Sequence, residues 1–366
     1  MTKINILSQG RFHMLDLARE LDHTGFDIKF YSFIPTSRCI KFGLQKKCIV
    51  SLFGIIAPFL ILRRIFPKLS WIHIKVQDFI MGIFMRKCDI CISLTGYVYA
   101  PRIAQKKGAI IIMERGSKHI LEQKKILEKN PHKKNEAIPN RNIKCTLKAY
   151  QFANFISVAS QHVKESFLLH QYPENRIFVN PYGVDLSMFK PLPNIPKKYD
   201  VIMVGGWGYE KGCDLIVEAI RKTNYSFIHV GSIKDVDFPQ EKNFTHIDPV
   251  DQSKLIEYYN QAKVFILPSR QDGFGMVLSQ ALACNLPIIG SNNCGAPDLK
   301  KMVELPEYIT IIKDYTADAI VTAIHTAIKN YEQLGERIYA GNAIENLTWE
   351  AYGKRYANFL HKIIKQ

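Results

Sequence analysis

Short apolar segments alternate with amphipathic stretches along most of this chain of 366 residues. In the first half, the apolar segments predict β-strands at residues 4–8, 27–33, 89–94, 109–113 and 155–159. Apolar positions at helical spacing predict helices between these strands, at residues 12–21, 76–86, 100–107, 118–128, 142–153 and 161–170. This alternation is typical of a parallel sheet that helices cover on both faces.

A proline-rich segment interrupts the pattern and indicates a linker, with prolines at Pro181, Pro191, Pro193 and Pro196. After it, strands are predicted at residues 200–204, 226–230, 264–268 and 287–290, and helices at residues 213–221, 253–261, 275–283 and 349–364. We expect two Rossmann-like, doubly wound α/β domains, at residues 1–190 and 191–348, followed by a C-terminal helix at residues 349–366. Since ligands bind such domains at the carboxyl ends of the strands, the cleft between the domains is the expected site.

Positive charge is concentrated in the first half of the chain. Residues 1–190 hold 30 Lys and Arg against 13 Asp and Glu, a net charge of +17, whereas residues 191–366 hold 19 against 20, a net charge of −1. The asymmetry indicates an anionic partner, such as a lipid surface, a phosphate-linked acceptor or a nucleic acid, with a merely solvated surface as the alternative. Nucleic acid is disfavoured because the first half has no basic helix interleaved with stacking aromatic residues.

The longest apolar run, residues 49–62, ends directly before Arg63 and Arg64. It is too short to cross a bilayer as a helix. Two interpretations are open. The run is either an interfacial element whose neighbours Arg63, Arg64 and Lys68 contact anionic lipid, or a buried helix of the first domain.

The eight cysteines are scattered along a chain without a signal peptide at its start, which predicts reduced thiols and a cytoplasmic location. Cys88 and Cys91 form one Cys-x-x-Cys pair, and no second pair completes a zinc site. We therefore interpret this pair as part of the core, and we expect neither a metal ion nor a cofactor.

The most informative segment is residues 267–290, LPSRQDGFGMVLSQALACNLPIIG. An apolar strand leads through a polar loop into a helix, and the turn consists of Gly273, Phe274 and Gly275. Glycines let backbone amides approach an anion, and a helix N-terminus adds partial positive charge, so this turn suits a diphosphate. Asp272 is placed to accept hydrogen bonds from sugar hydroxyls, and Gln280, about two turns into the helix, to face a nucleoside.

This segment resembles the family 4 glycosyltransferases, whose hallmark is a Ser-x-x-Glu-Gly-Phe-Gly loop followed by a helix with a second Glu. In that family, the first acidic residue and the adjacent amides hold the transferred sugar, and the second carboxylate holds the ribose. Asp272 matches the first Glu and Gln280 the second. Both depart from the family pattern, yet both side chains can form hydrogen bonds with hydroxyl groups.

A second segment, residues 201–219, VIMVGGWGYEKGCDLIVEA, resembles the family's strand, Gly-Arg loop, Glu-Lys-Gly turn and helix. Its loop begins with Gly205 and Gly206. Lys211 matches the lysine that, in the family, pairs with the donor diphosphate and neutralises the leaving group. The family's usual arginine is replaced by Gly206 here, and the candidates for its replacement are Arg270 and, as second choice, Arg115.

The resemblance covers about residues 175–365. It implies the GT-B fold, in which two Rossmann-like domains face each other across a cleft and the last helix crosses back to the first domain. Residues 180–191, NPYGVDLSMFKP, match the segment before the second domain, and Gly183 is expected to make a turn there. We expect charge neutralisation by Lys211, Arg270 and helix N-termini instead of a metal ion.

Two loops of the first domain are expected to face the cleft. Gly10 follows the first strand, where the family places a glycine-rich loop near the donor phosphates and the acceptor. Residues 114–119, ERGSKH, follow a later strand. From these loops we expect Arg115 to contact substrate and His13 or His119 to contact the acceptor, with a satisfied loop histidine as the alternative for each.

The implied function is that of a retaining, metal-independent hexosyltransferase. It would move a sugar from a UDP- or GDP-linked donor to a glycan or lipid-linked acceptor, at the cytoplasmic face of a membrane with anionic lipids, in polysaccharide or lipopolysaccharide synthesis. Three alternatives remain open: a nucleotide-sugar isomerase on the same fold, a nucleic-acid-directed transferase or binder, and a catalytically silent nucleotide-sugar binder.

Overall fold

The computed structural model of the chain describes residues 1–66, 72–132, 138–334 and 341–365. The first domain is built on a seven-stranded parallel sheet of order β3-β2-β1-β4-β5-β6-β7. Its strands are β1 (Lys3–Ser8), β2 (Asp27–Ser32), β3 (Ile49–Ser51), β4 (Ile90–Leu94), β5 (Ile110–Arg115), β6 (Phe155–Val158) and β7 (Ile177–Val179). The helices are α1 (Phe12–His23), α2 (Thr36–Lys41), α3 (Phe53–Ile65), α4 (His73–Phe84), α5 (Tyr99–Lys106), α6 (Ile120–Glu128), α7 (Asn140–Phe152) and α8 (Gln161–Leu168).

The second domain repeats this plan on a six-stranded parallel sheet of order β10-β9-β8-β11-β12-β13. Its strands are β8 (Tyr199–Val204), β9 (Phe227–Val230), β10 (Phe244–Ile247), β11 (Ala262–Leu267), β12 (Ile288–Ser291) and β13 (Ile309–Ile312). The helices are α9 (Cys213–Arg221), α10 (Leu255–Asn260), α11 (Met276–Ala283), α12 (Ala296–Lys300) and α13 (Ala317–Leu334). The central strands are buried on both faces, as the continuous apolar runs predict.

The last helix, α14 (Trp349–Ile364), returns to the first domain. Thr348 caps its start, because its hydroxyl oxygen accepts a hydrogen bond from the Ala351 amide at 3.1 Å. Phe359 of α14 stacks on Phe178, with ring centroids 4.1 Å apart. A Cβ added to Gly353 would lie 2.2 Å from the Cβ of Glu20 in α1, so glycine allows the two helices to approach closely. Two parallel-sheet domains and this crossing helix form the GT-B fold that the sequence predicted.

Four short strands were missed by the sequence pattern: β3, β7, β10 and β13. Each lies at an edge of its sheet and pairs with one neighbour only.

The turn expected at Gly183 is not formed. Residues 181–183 form no turn, and a Cβ on Gly183 would lie 2.5 Å from the backbone nitrogen of Trp349. Glycine is needed because two segments that link the domains pass side by side, as the Val184–Thr348 bridge shows.

The apolar run at residues 49–62 is not the buried helix that one interpretation expected. It divides into the edge strand β3 and the helix α3, in which Ile56 alone is fully buried. Ile61, Ile65 and Phe66 are exposed by 64%, 65% and 56%. No helix in the described ranges combines the length and the apolar character needed to cross a membrane. Lys68 lies outside the described residues.

Candidate functional site

The site forms where the strand order of the second sheet reverses, between β8 and β11. Connections leave these two neighbouring strands in opposite directions, so a crevice opens at their carboxyl ends. The loop after β8 carries Lys211, and the loop after β11 carries Asp272. A Cβ on Gly212, which has a φ of 74°, would lie 2.4 Å from the carbonyl oxygen of Pro268, so glycine allows the two loops to touch.

Lys211 and Asp272 form an ion pair, with 2.6 Å between Nζ and Oδ2. Both side chains are about one-fifth exposed, at 19% and 18%. Burial disfavours the charge of Lys211, but the Asp272 carboxylate outweighs it and raises the pKa of the ammonium above its ordinary value. The structure thus brings together two of the residues predicted from separate motifs, and it holds a charged lysine at the crevice.

The turn at residues 273–275 leaves its amides available. The carbonyl of Phe274 accepts a hydrogen bond from the Gly295 amide at 2.6 Å, and that of Gly273 accepts one from the Ser160 hydroxyl at 2.5 Å. Among the described residues, no acceptor is found for the amides of Gly273, Phe274 and Gly275. Because the turn is fixed through its carbonyls and begins α11, its free N–H groups form a suitable anion site. The Phe274 side chain is buried and packs edge-on against Tyr182.

Arg270 does not supply the free cation that the sequence predicted. Its Nη1 and Nη2 donate to the two carboxylate oxygens of Asp214, at 2.5 and 2.7 Å, and its guanidinium lies over the Tyr209 ring at 3.8 Å. A bidentate pair of this kind neutralises the charge and fixes the side chain. The contacts argue for a role in bracing the loops after β8 and β11.

Arg115 also holds its own loop. Its Nε and Nη2 donate to the carbonyl of Lys118 at 3.0 and 2.9 Å, and Nη2 donates to Gln123 at 2.6 Å. The neighbouring Lys118 instead reaches across the cleft, where its Nζ donates to Asn293 Oδ1 at 2.7 Å. Sequence reasoning selected Arg115 from this loop and missed Lys118.

Gln280 lies in α11 and lines a cavity between the domains, together with Arg11, Asp16, Gln252, Met276 and Trp349. Its Oε1 accepts a hydrogen bond from the Tyr259 hydroxyl at 2.9 Å. The side chain is therefore fixed at the wall of a cleft that both domains form, which is compatible with the predicted contact to a nucleoside.

Comparison with known proteins assigns the second domain. The sequence model described as glycosyl transferases group 1 matches residues 187–343. A probable sucrose-phosphate synthase of Thermosipho melanesiensis is 26% identical over 242 residues, which is 58% of this chain and 56% of that protein. The match places residues 187–343, most of the second domain, with the group 1 glycosyl transferases.

A second curated relative and a solved structure are also similar to this chain. A GDP-mannose-dependent mannosyltransferase of Mycolicibacterium smegmatis that acts on phosphatidylinositol monomannoside is 23% identical over 242 residues, 57% of this chain and 62% of that protein. The chain thus spans little more than half the length of these two curated relatives. The crystal structure of Anabaena HepE with UDP and glucose superposes with a TM-score of 0.67, at 13% identity, over 99% of this chain and 100% of that one. The GT-B fold predicted from the sequence is therefore confirmed, and the family model matches the domain whose motifs carry the resemblance.

His13 and His119 are both buried in the first domain. His13 stacks on Tyr182, with 4.4 Å between ring centroids, and its Nε2 lies 3.1 Å from Glu114 Oε2. His119 is 5% exposed and caps α6 by accepting a hydrogen bond from the Leu121 amide. Burial lowers the pKa of His119 to about 3, so the ring is neutral. Both rings make their contacts within the first domain, which favours the satisfied-histidine alternative over a contact with the acceptor.

Glu114 links the first domain to the returning helix, and sequence reasoning did not single it out. It is 1% exposed, and its Oε1 accepts a hydrogen bond from Tyr356 of α14 at 2.7 Å. Burial alone would raise the pKa of Glu114, but the contacts with His13 and Tyr356 lower it below its usual range. The buried carboxylate is thus satisfied by its contacts. In the loop after β1, the Gly10 carbonyl accepts a hydrogen bond from the Ser8 hydroxyl at 2.8 Å.

Cys88 and Cys91 are buried, as the sequence analysis expected for core residues. Burial raises the pKa of the Cys88 thiol to about 11, so the thiolate is not formed near neutral pH. Within the described ranges, no three His, Cys, Asp or Glu side chains are grouped so that they could hold a metal ion.

Asp298 links the two domains by a hydrogen bond, and its ionisation makes the stability of the protein depend on pH. Its Oδ1 accepts a hydrogen bond from the Gln161 amide of the first domain at 3.0 Å, while Oδ2 has no partner among the described residues. Burial raises the pKa of Asp298 to about 6. Because the native state then holds its proton more tightly than the unfolded state, this residue lowers stability as the pH rises through about 4 to 6.

Asp298→Asn keeps the acceptor and removes the ionisation. We expect the midpoint of thermal unfolding to rise at about pH 7.5 and to change less at about pH 5; each 1 kcal/mol corresponds to about 2–4 °C for a domain of this size. Asp237→Asn, at an exposed position, is the control. An equal effect of Asp298→Asn at both pH values would show that its ionisation does not matter.

Proposed function

We propose that this chain transfers a hexose-type sugar from a UDP- or GDP-linked donor to a glycan or lipid-linked acceptor, with retention of anomeric configuration, in the synthesis of envelope polysaccharide or lipopolysaccharide. The observation that supports this most is the Lys211 ammonium beside the free amides of residues 273–275, at the strand-order reversal of the second sheet. The HepE structure contains UDP and glucose, and the mycobacterial relative uses GDP-mannose. Both nucleotides are therefore candidates.

The chemistry follows from where charge develops. The bond between the anomeric carbon and the diphosphate oxygen breaks, while the acceptor oxygen bonds to that carbon on the same face. The departing phosphate oxygen takes the acceptor's proton. Lys211 and the amides of the turn then stabilise the negative charge on the leaving group, without a metal ion or a cofactor. Asp272 exchanges its contact with Lys211 for hydrogen bonds with sugar hydroxyls.

A thermal-shift screen against nucleotide-sugars tests the donor assignment. A nucleotide-sugar at about 100 times its Kd stabilises the native state by about 2.7 kcal/mol. We expect a UDP- or GDP-linked sugar to raise the unfolding temperature, and the matching nucleoside without phosphate to leave it unchanged. If no nucleotide-sugar stabilises the protein, the donor assignment is wrong.

Product analysis and nucleic-acid binding separate the alternatives. An isomerase converts the donor without an acceptor, whereas a transferase releases the nucleoside diphosphate and elongates an acceptor. A binder with no activity stabilises against heat but forms no product. A shift of nucleic acid in a gel at physiological salt would favour the nucleic-acid alternative.

We further propose that the first domain contacts an anionic membrane through α3 and α4. Apolar side chains are exposed on both helices, among them Ile61, Ile65, Phe79 and Ile83. The rings of Phe59 and His73 stack at 6.0 Å, so the helices are adjacent. Arg63 and Arg64 in the last turn of α3 add positive charge beside this apolar surface, which is the combination that interfacial helices use.

The double variant Ile61→Glu/Ile65→Glu tests the membrane contact by sedimentation with vesicles. We expect the native protein to sediment with vesicles rich in anionic lipid and to be released by salt, and the variant to remain in the supernatant. Leu169→Glu is the matched control, because Leu169 is 72% exposed on α8's C-terminal side, outside the α3–α4 surface. Binding that ignores both anionic lipid and salt would rule out this membrane contact.

A further inference from the structure

The loop after β8 lies against the loop after β9, and backbone hydrogen bonds fix the two together. The Trp207 amide donates to the Ser232 carbonyl at 2.8 Å, and the Lys234 amide donates to the Trp207 carbonyl at 2.9 Å. Trp207 is fully buried, so this pair of loops is anchored in the core of the second domain. The backbone of Lys234 is thus held in register with that of Gly206.

The Lys234 side chain occupies the space that a side chain at position 206 would take. A Cβ added to Gly206 would lie 2.3 Å from Cε and 2.8 Å from Nζ of Lys234. The ammonium of Lys234 therefore lies beside the position that the Cβ of a larger residue 206 would occupy. Glycine at position 206 is what makes room for it.

Lys234 is an exposed residue, and no described residue forms an ion pair with it. The carboxylate of the neighbouring Asp235 is engaged elsewhere, by the Tyr209 amide at 2.9 Å and by Asn130 at 2.7 Å. Two other cations beside the crevice are already paired with carboxylates. Lys211 is paired with Asp272, and Arg270 with Asp214.

We propose that Lys234 binds the donor diphosphate as a second cation and takes the place of the side chain that position 206 lacks. This inference rests on the proposed function, since it assigns a further residue to the same donor. A diphosphate carries more negative charge than one paired lysine neutralises, and Lys234 adds a positive charge from the carboxyl end of β9, the strand beside β8. The free ammonium acts as a point charge on the phosphates.

Calorimetric titration with UDP and GDP, and with the corresponding monophosphates, tests this role. We expect Lys234→Ala to weaken binding of the preferred diphosphate about tenfold, which corresponds to about 1.4 kcal/mol, and to affect the monophosphate less. Lys242→Ala is the control, because it removes an exposed lysine of the same domain. Lys234→Arg is expected to retain most of the affinity.

A second-site substitution distinguishes charge from structure. Gly206 does not have a positive φ, so an arginine fits its backbone once the Lys234 side chain is shortened. We expect the double variant Gly206→Arg/Lys234→Ala to recover most of the lost diphosphate affinity. Recovery would show that the site needs a cation there and not this particular lysine.

The outcomes separate the inference from the function it rests on. If Lys234→Ala binds as tightly as the native protein while Lys211→Ala binds weakly, the role of Lys234 is wrong and the proposed donor stands. The same conclusion follows if Lys234→Ala weakens diphosphate and monophosphate equally and the double variant recovers nothing. If the native protein binds neither UDP nor GDP, the proposed function itself fails.

Discussion

Lys211→Ala is expected to lower kcat for sugar transfer by about 10² to 10³-fold, the effect of removing one preorganised group that stabilises charge in a transition state. Lys211 is held 2.6 Å from Asp272 at the crevice, and its raised pKa keeps it charged through the neutral range. The substitution therefore removes positive charge where the leaving diphosphate develops negative charge. Turnover with saturating donor and acceptor measures the effect.

Lys222→Ala is the matched control for this prediction. Lys222 also forms a 2.6 Å ion pair, with Asp318, but on an exposed surface of the same domain. Loss of such a pair changes stability little. Unchanged turnover of Lys211→Ala would remove this lysine from the mechanism, and an equal loss in both variants would indicate a general effect on the domain.

Gly273→Ala is expected to reduce turnover by about 10²-fold, because it separates the two domains at the site. A Cβ at this position would lie 2.0 Å from the carbonyl oxygen of Gly116 in the first domain. Both contacting groups belong to loop backbone, so relief requires movement of one loop away from the other. A displacement of about 1 Å at an active site can lower the rate by about this factor.

Gly96→Ala controls for the substitution itself, since its Cβ would meet only Ile74 Cγ2 at an ordinary 3.6 Å. The unfolding temperature of Gly273→Ala should fall little, because the clash lies between the domains and not inside either core. Native turnover in this variant would show that residues 116 and 273 are not in contact during the reaction.

The sequence predicted the central strands and the site loops of the second domain because their signals are local. The turn at residues 273–275 combines glycines, a preceding apolar strand and a following helix within one short segment. The edge strands β3, β7, β10 and β13 have three or four residues each and are partly exposed, so they lack the long apolar run of a central strand.

The roles of several polar residues depend on tertiary contacts and could not be inferred from the sequence. His13 at the start of α1 and His119 at the N-cap of α6 follow strands, as residues of functional sites often do, but Glu114, Tyr182 and Tyr150 contact their rings. Arg270 is close to the site, yet Asp214 neutralises it. The position of Lys234 over Gly206 brings together residues 28 positions apart, and no pattern along the chain indicates that contact.

A crystal structure of the protein soaked with UDP or GDP tests the central proposal most directly. We predict that the diphosphate lies within hydrogen-bonding distance of Lys211 Nζ and of the amides of Gly273, Phe274 and Gly275. A nucleotide bound elsewhere, or an intact Lys211–Asp272 pair with an empty crevice at saturating nucleotide, would contradict it.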